Sequence, residues 1–224
     1  MKEYGVFDII GPVMIGPSSS HTAGAARLGQ MAGKIAGGEI INVVFYLHGS
    51  FAKTYAGHGT DKALLAGVLG LMPDDARIKD AFKLAEEKGV RYRFEERDLG
   101  EVHPNTVKIV LETKSGETVE VTGSSIGAGK VKIIRINDFE VEFEGEYTTL
   151  ITYHQDCPGV VAGISAVLAK YDVNIAFMRL FRENRASTAV LIAETDEDIP
   201  SKAIREIKEN PHITRVKVLE PIKI

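Results

Sequence analysis

The sequence predicts an α+β protein of two domains, and three observations carry that prediction. From Tyr147 onward, short apolar runs alternate with amphipathic stretches in a regular strand–helix–strand–strand–helix–strand order. Residues 1–143 have another texture, rich in glycine and in clusters of His, Ser and Thr. At 224 residues the chain is too long for one minimal domain and fits two small ones. The expected domains are 1–143 and 147–224, joined by an acidic linker around Glu144–Glu146.

In the first domain, GPSSSHT leads into a helix on which Ala25, Leu28, Ala32 and Ile35 recur at helical spacing. Ser19 or Ser20 can cap its start, and Gly37–Gly38 can end it. Gly29 and Gly33 share a face, where another backbone can pack close. EIINVVFYLHG reads as a buried strand because its branched and aromatic residues run without a polar gap. GHGTDKALLAGVLG reads as a turn into a second helix. DDARIKDAFKLAEEKG reads as a third, acidic at its start and closed by Gly89. VKIVLETKSGETVEVTGS is a hairpin around Ser115–Gly116, and KVKIIRINDFEVEF another, turning at Asn137–Asp138.

In the second domain, Tyr147–His154 is a strand and Gly159–Tyr171 a helix with Val160, Ile164, Val167 and Leu168 on one side. Val173–Arg182 and Ala186–Glu194 are strands around Glu183–Asn184. Pro200–Glu209 is a helix whose early proline loses no needed hydrogen bond, and Ile213–Leu219 is the last strand. The order βαββαβ is the ferredoxin-like plan, with two helices on one face of an antiparallel sheet.

Composition removes several classes of function. Lys+Arg is 27 against 31 Asp+Glu, a net charge of −4, so no basic footprint for nucleic acid exists. No apolar run approaches the roughly 20 residues that span a bilayer, and the start MKEYGVFDIIGPV lacks the basic head and apolar core of a secretory signal. The expected location is therefore the cytoplasm, with no membrane partner. Cys157 is the one cysteine. It excludes an internal disulfide, and it excludes an iron–sulfur cluster held by this chain alone, because a cluster needs about four thiolates.

Four segments of the first domain are richer in chemistry than folding requires. In Gly16–Gly24, three serines, His21 and Thr22 crowd a helix start, where free N–H groups and the dipole favour an anion. One cap needs only one hydroxyl, so Ser18, Ser19, Ser20, His21 and Thr22 are candidate carboxylate ligands. In His48–Leu64, His58 lies between Gly57 and Gly59 just ahead of a helix, suited to proton transfer or metal binding, or to a plain surface turn. Thr60 and Asp61 beside it are candidate substrate contacts or caps of the following helix. HPNT at 103–106 reads as a strand-entry turn. GSSIGAGK at 123–130 lacks the spacing of a phosphate-binding loop and reads as a flexible loop that approaches another backbone. His21, His48, His58 and His103 match no compact zinc spacing, so no metal site is expected in this chain. In the second domain, DCPG at 156–159 leaves free N–H groups at a helix start, and Cys157 has no basic partner nearby in sequence to activate it.

These segments, GPSSSHTxG, HGSFAKTYxGHGTDxAL, HPNT and the Gly-rich loop, in this order, resemble the beta portion of iron–sulfur L-serine dehydratases (L-serine ammonia-lyases). The tail resembles an ACT domain, with DCPG in place of D-x-P-G. The resemblance covers nearly the whole chain. It implies a first domain like the allosteric substrate-binding domain of some phosphoglycerate dehydrogenases. It implies conversion of L-serine to pyruvate and ammonia, with a separate alpha subunit ligating a 4Fe–4S cluster. It also implies Ser18, Ser19, Ser20 and Thr22 as the carboxylate cradle and His58 as a proton-transfer or orienting group. An ACT tail implies homodimerisation and a small amino-acid ligand at Asp156, Pro158 and Gly159. The rival reading is a regulatory module that senses an amino acid or hydroxy acid and carries no chemistry.

Overall fold

The computed structural model describes residues 14–182 and 187–222. They form two compact units. One runs to Asn137 and takes in Glu142–Glu144; the other takes in Asp138–Val141 and continues from Gly145.

The first unit starts with a π-helical turn, Ser19–Gly24, running directly into α1, Ala25–Ala36. The cap is Ser18, one residue ahead of the two serines expected, and its side chain accepts the backbone N–H of His21. Gly37 ends α1 at φ 68° as expected. β1, Ile40–Leu47, is followed by a helix the spacing did not announce, α2, Gly49–His58. His58 therefore closes a helix instead of riding a turn between two bent glycines. Only Gly59 takes a left-handed conformation, φ 69°, and α3, Thr60–Val68, restarts from it. Neither Thr60 nor Asp61 caps α3; no side chain does. The expected third helix begins as a 3-10 turn, Ala76–Asp80, capped by Asp75, and becomes α4 over Ala81–Glu87.

β2, Arg91–Glu96, also escaped the sequence reading; it pairs parallel to β1. β3, Thr106–Thr113, and β4, Thr118–Gly127, form the hairpin around Ser115–Gly116. The Gly-rich segment is no flexible loop. It is the end of β4, paired to β5, Lys130–Ile136, through Ala128 and Gly129 at φ 50° and 76°. β6, Phe139–Phe143, follows Asn137, whose φ is 51°. The sheet order is β2-β1-β3-β4-β5-β6. Against it, α1 and α3 cross with backbones almost touching. A Cβ on Gly29 would stand 2.2 Å from the Leu64 carbonyl, and one on Gly67 would stand 2.0 Å from that of Ala26. The close approach expected at Gly29 is present, and α3 is its partner.

The second unit is βαββαβ. β7 is Thr148–Gln155, α5 Val160–Lys170, β8 Ile175–Arg182, β9 Thr188–Thr195, α6 Ser201–Lys208 and β10 Ile213–Leu219. The turn expected at Glu183–Asn184 lies outside the described residues. The antiparallel sheet has the order β10-β7-β9-β8. Its core joins Leu150, Leu191 and Ala193 to Val160, Ile164, Leu168, Ala203 and Ile207 of the two helices, and Cys157 packs at its margin. No helix among the described residues is long and apolar enough to cross a membrane.

Candidate functional site

Tertiary contacts draw all four chemistry-rich segments toward the π-helical turn. Gly49, at φ 56°, takes a conformation that brings the start of α2 against HPNT, where a Cβ would stand 2.6 Å from the Pro104 carbonyl. Ser50 N–H donates to that same carbonyl at 2.8 Å, and His48 N–H donates to Thr106 at 3.0 Å. HPNT in turn is tied to the glycine-rich strand: Ser125 N–H reaches the Asn105 carbonyl at 2.9 Å, and the Thr106 and Ser124 hydroxyls lie 2.7 Å apart. Ser125 fills the space at Gly24, where a Cβ would meet its Oγ at 2.1 Å. The missing Cβ of Gly24, at the end of the π turn, leaves this room for β4, and π turns are frequent at functional sites.

The result is a polar cluster centred on His21. Its Nδ1 lies 3.3 Å from Ser18 Oγ and its Nε2 3.2 Å from Ser50 Oγ. Its ring stands edge-on to His58, with centroids 5.0 Å apart at 75°, and to Phe51 at 5.3 Å. Burial of the His21 ring, and then the neighbouring His58, lower its pKa. His21 lies between two hydroxyls with its charged form disfavoured, while His58 is exposed beside it. Such a group can orient, and the exposed imidazole can exchange a proton with a ligand.

The other expected residues are placed differently. Ser19 and Ser20 are half-buried in the π turn. Thr22 is buried, and its hydroxyl has no hydrogen-bond partner and lies where a Cβ on Gly16 would be, 2.4 Å away. The Thr60 hydroxyl is fully buried and also without a partner. Asp61 is half-buried and accepts the Lys62 N–H at 2.7 Å; burial raises its pKa, opposed by that N–H and by the Lys62 charge. His48 Nδ1 accepts the Leu99 N–H at 3.1 Å, and the Asp98 carboxylate lies 3.4 Å from the same nitrogen. His103 Nδ1 accepts the Asn105 N–H at 3.1 Å, which makes it the turn residue expected. Sequence reasoning missed Ser50 and Phe51. The available signal was the His-Gly-Ser step after a buried strand, where a positive-φ glycine turns the chain into a helix.

In the second unit Gly159, φ 93°, opens α5 with no side-chain cap, and Pro158 and Gly159 are exposed. The Asp156 carboxylate accepts from the Arg182 guanidinium at 2.8 Å. Among the described residues no three His, Cys, Asp or Glu converge as a metal site. With Cys157 the single cysteine and packed at the second core, the residues present do not fit an iron–sulfur cluster.

Residues 5–92 match the family described as serine dehydratase beta chain, and residues 148–212 match the ACT domain. A probable L-serine dehydratase beta chain of Bacillus subtilis (strain 168) is 44% identical over 216 residues, 96% of this chain and 98% of that one. The L-serine dehydratase beta chain of Peptoniphilus asaccharolyticus is 41% identical over 221 residues, 98% of this chain and all of that one. The chain belongs to the L-serine dehydratase beta-chain family. Its second unit carries the ACT domain that ends the chain, and its first carries the His21 cluster within the serine dehydratase match. A more distant similarity reaches D-3-phosphoglycerate dehydrogenase of Bacillus subtilis (strain 168), 25% identical over 197 residues, 88% of this chain but 37% of that one.

Proposed function

We propose that the chain is the beta subunit of an enzyme that converts L-serine to pyruvate and ammonia. The observation that carries this reading is the meeting of the four motif segments around the π-helical turn, with Ser18, Ser50 and His58 around His21. Elimination removes a proton from Cα and hydroxide from Cβ. The aminoacrylate formed then tautomerises, and water releases ammonia to leave pyruvate. In this reading the start of the Ser19–Ala36 helical run, with half-buried Ser19 and Ser20, holds the substrate carboxylate, and Ser18 and His21 shape that start. His58 moves or orients a proton on the open side, and Thr60 and Asp61 lie beside it at the start of α3. A 4Fe–4S cluster belongs to a cysteine-bearing alpha subunit, because this chain offers it one thiol. The assembly works in the cytoplasm.

The test is anaerobic co-purification with the cysteine-bearing partner, followed by a pyruvate assay on L-serine. The isolated chain should make none and the reconstituted pair should turn over. Robust pyruvate formation by the isolated, iron-free chain would sink the reading. In the pair, Ser19→Ala or Ser20→Ala should raise KM, since a hydrogen bond to a charged group contributes about 1.5–3 kcal/mol. His58→Ala should lose about 10²-fold or more in turnover while still assembling.

The second unit is read as a dimerising ACT domain that takes a small amino acid at Asp156, Pro158 and Gly159. Calorimetric titration of L-serine and other amino acids into the full chain tests this. Similarity to a phosphoglycerate dehydrogenase supports the rival, a sensor without chemistry. Co-purification with a dehydrogenase instead of a cysteine-rich chain would favour that reading.

A further inference from the structure

The first motif supplies three serines, yet the hydroxyl best prepared to meet a ligand comes from the second. We propose that Ser50 donates a hydrogen bond to the substrate carboxylate, and that His21 is the positioning residue that commits it to donate. This rests on the reading of L-serine as the substrate.

The argument is a proton count. The His21 ring, when neutral, has one N–H and one bare nitrogen, and each nitrogen faces a serine hydroxyl. Two arrangements satisfy the ring. If Nδ1 carries the proton, Ser18 Oγ must accept it while already accepting the His21 backbone N–H at 3.3 Å. One oxygen then takes two donors from one residue, and the proton left over is Ser18's and not Ser50's. Ser50 would spend its proton on Nε2. If Nε2 carries the proton, Ser18 accepts the backbone N–H and donates to Nδ1, filling both its roles. His21 then donates to Ser50 Oγ, and the Ser50 proton is the single one left over. The second arrangement gives the Ser18 hydroxyl one donor and one acceptor partner, where the first gives it two donors from the same residue. It also polarises the Ser18–His21–Ser50 chain in one direction, which strengthens its last donor.

Ser50 is held firmly enough for this to matter. Gly49 and the Pro104 carbonyl hold its backbone, and Thr54 Oγ1 donates to its carbonyl at 2.8 Å. The next residue, Phe51, is fully buried against the His21 ring. Ser50 itself is only half-buried and shares the ring with exposed His58. Burial and the nearby His58 disfavour the charged His21 ring, which brings the two neutral tautomers to the fore.

Proton–nitrogen correlation spectra of the full chain, labelled with nitrogen-15 histidine and recorded above neutral pH, read the tautomer directly. His21 is identified by its loss in His21→Gln. The expected spectrum has the proton on Nε2, and Ser18→Ala shifts it toward Nδ1. A wild-type proton on Nδ1 overturns the proposal, because Ser50 then has nothing left to donate. In the reconstituted enzyme Ser50→Ala should raise KM for L-serine by about 10- to 100-fold, with kcat within a few-fold and partial recovery in Ser50→Thr. An unchanged KM removes the ligand contact even if the tautomer is right. If reconstituted wild type makes no pyruvate, the substrate reading and the Ser50 contact fall together, while the spectrum still decides the role of His21.

Discussion

At residue scale, two positions show how local chemistry sets stability. His154 in β7 is only 2% exposed, and its Nδ1 has no hydrogen-bond partner. Burial lowers its pKa, opposed by a hydrogen bond to the Thr152 backbone and by the Asp156 charge. Its native pKa thus lies below the ordinary 6.5, and the unfolded chain binds the proton more readily. The stability it contributes is complete above the ordinary value and is lost as pH falls through the native one. His21 shifts in the same direction, so both act with one sign. Melting temperatures should therefore fall between pH 8 and about pH 5.5, and His154→Asn should flatten part of that slope. An unchanged slope would assign the whole effect elsewhere. The glycines of α2 divide in stability effect. Gly49 is left-handed against Pro104, so Gly49→Ala should cost about 1–3 kcal/mol. Gly57 sits inside α2 with nothing within 4 Å of its would-be Cβ, so Gly57→Ala should stabilise by about 0.5–1 kcal/mol. Denaturant titration checks both. The glycines flanking His58 were readable in the sequence; that Gly49, at the other end of α2, is the one packed against HPNT was not, because that depends on where HPNT packs.

At element scale, the crossing of α1 and α3 positions the π turn over β4. The sequence showed Gly29 and Gly33 on one face, but nothing local named the helix that uses it. The partner is decided by Gly67, whose own missing Cβ makes room for Ala26. Gly67→Ala must push backbone against backbone, and overpacking of this kind costs about 1–3 kcal/mol. The variant should unfold at lower urea with an unchanged m-value, and no loss of stability would mean the helices can separate freely. The missed elements have related causes. β2 is an edge strand with a charged alternation, RYRFEE, and becomes a strand by pairing with β1. The glycines in GSSIGAGK suggest a loop until β3 and β5 pair with it on both sides.

At the scale of the whole molecule, the expected self-association has a definite candidate surface. β8 lies at an edge of the second sheet, where Phe177 and Leu180 are 48% and 45% exposed. An edge strand that is long and apolar is a template for pairing with another copy. The full chain should sediment as a dimer, and Phe177→Glu with Leu180→Glu should shift it toward monomer. A dimer unmoved by both substitutions would place the contact on another surface.

The sequence alone determined the order and type of nearly every element in the second unit, because each is a short amphipathic segment whose period is written locally. It also determined that this chain alone cannot hold a thiolate-ligated cluster, since that follows from counting one cysteine. It marked the four segments in which the candidate site residues lie. Only the tertiary structure decided how those segments meet: Ser18 as the cap, His58 at a helix end, Thr22 and Thr60 turned inward, and Ser50 on His21 from 29 residues away in the chain. A hydroxyl in sequence is equally a cap, a core group or a ligand contact. Its role is set by which backbone and which ring it faces after folding, and those contacts are made between segments far apart in the chain.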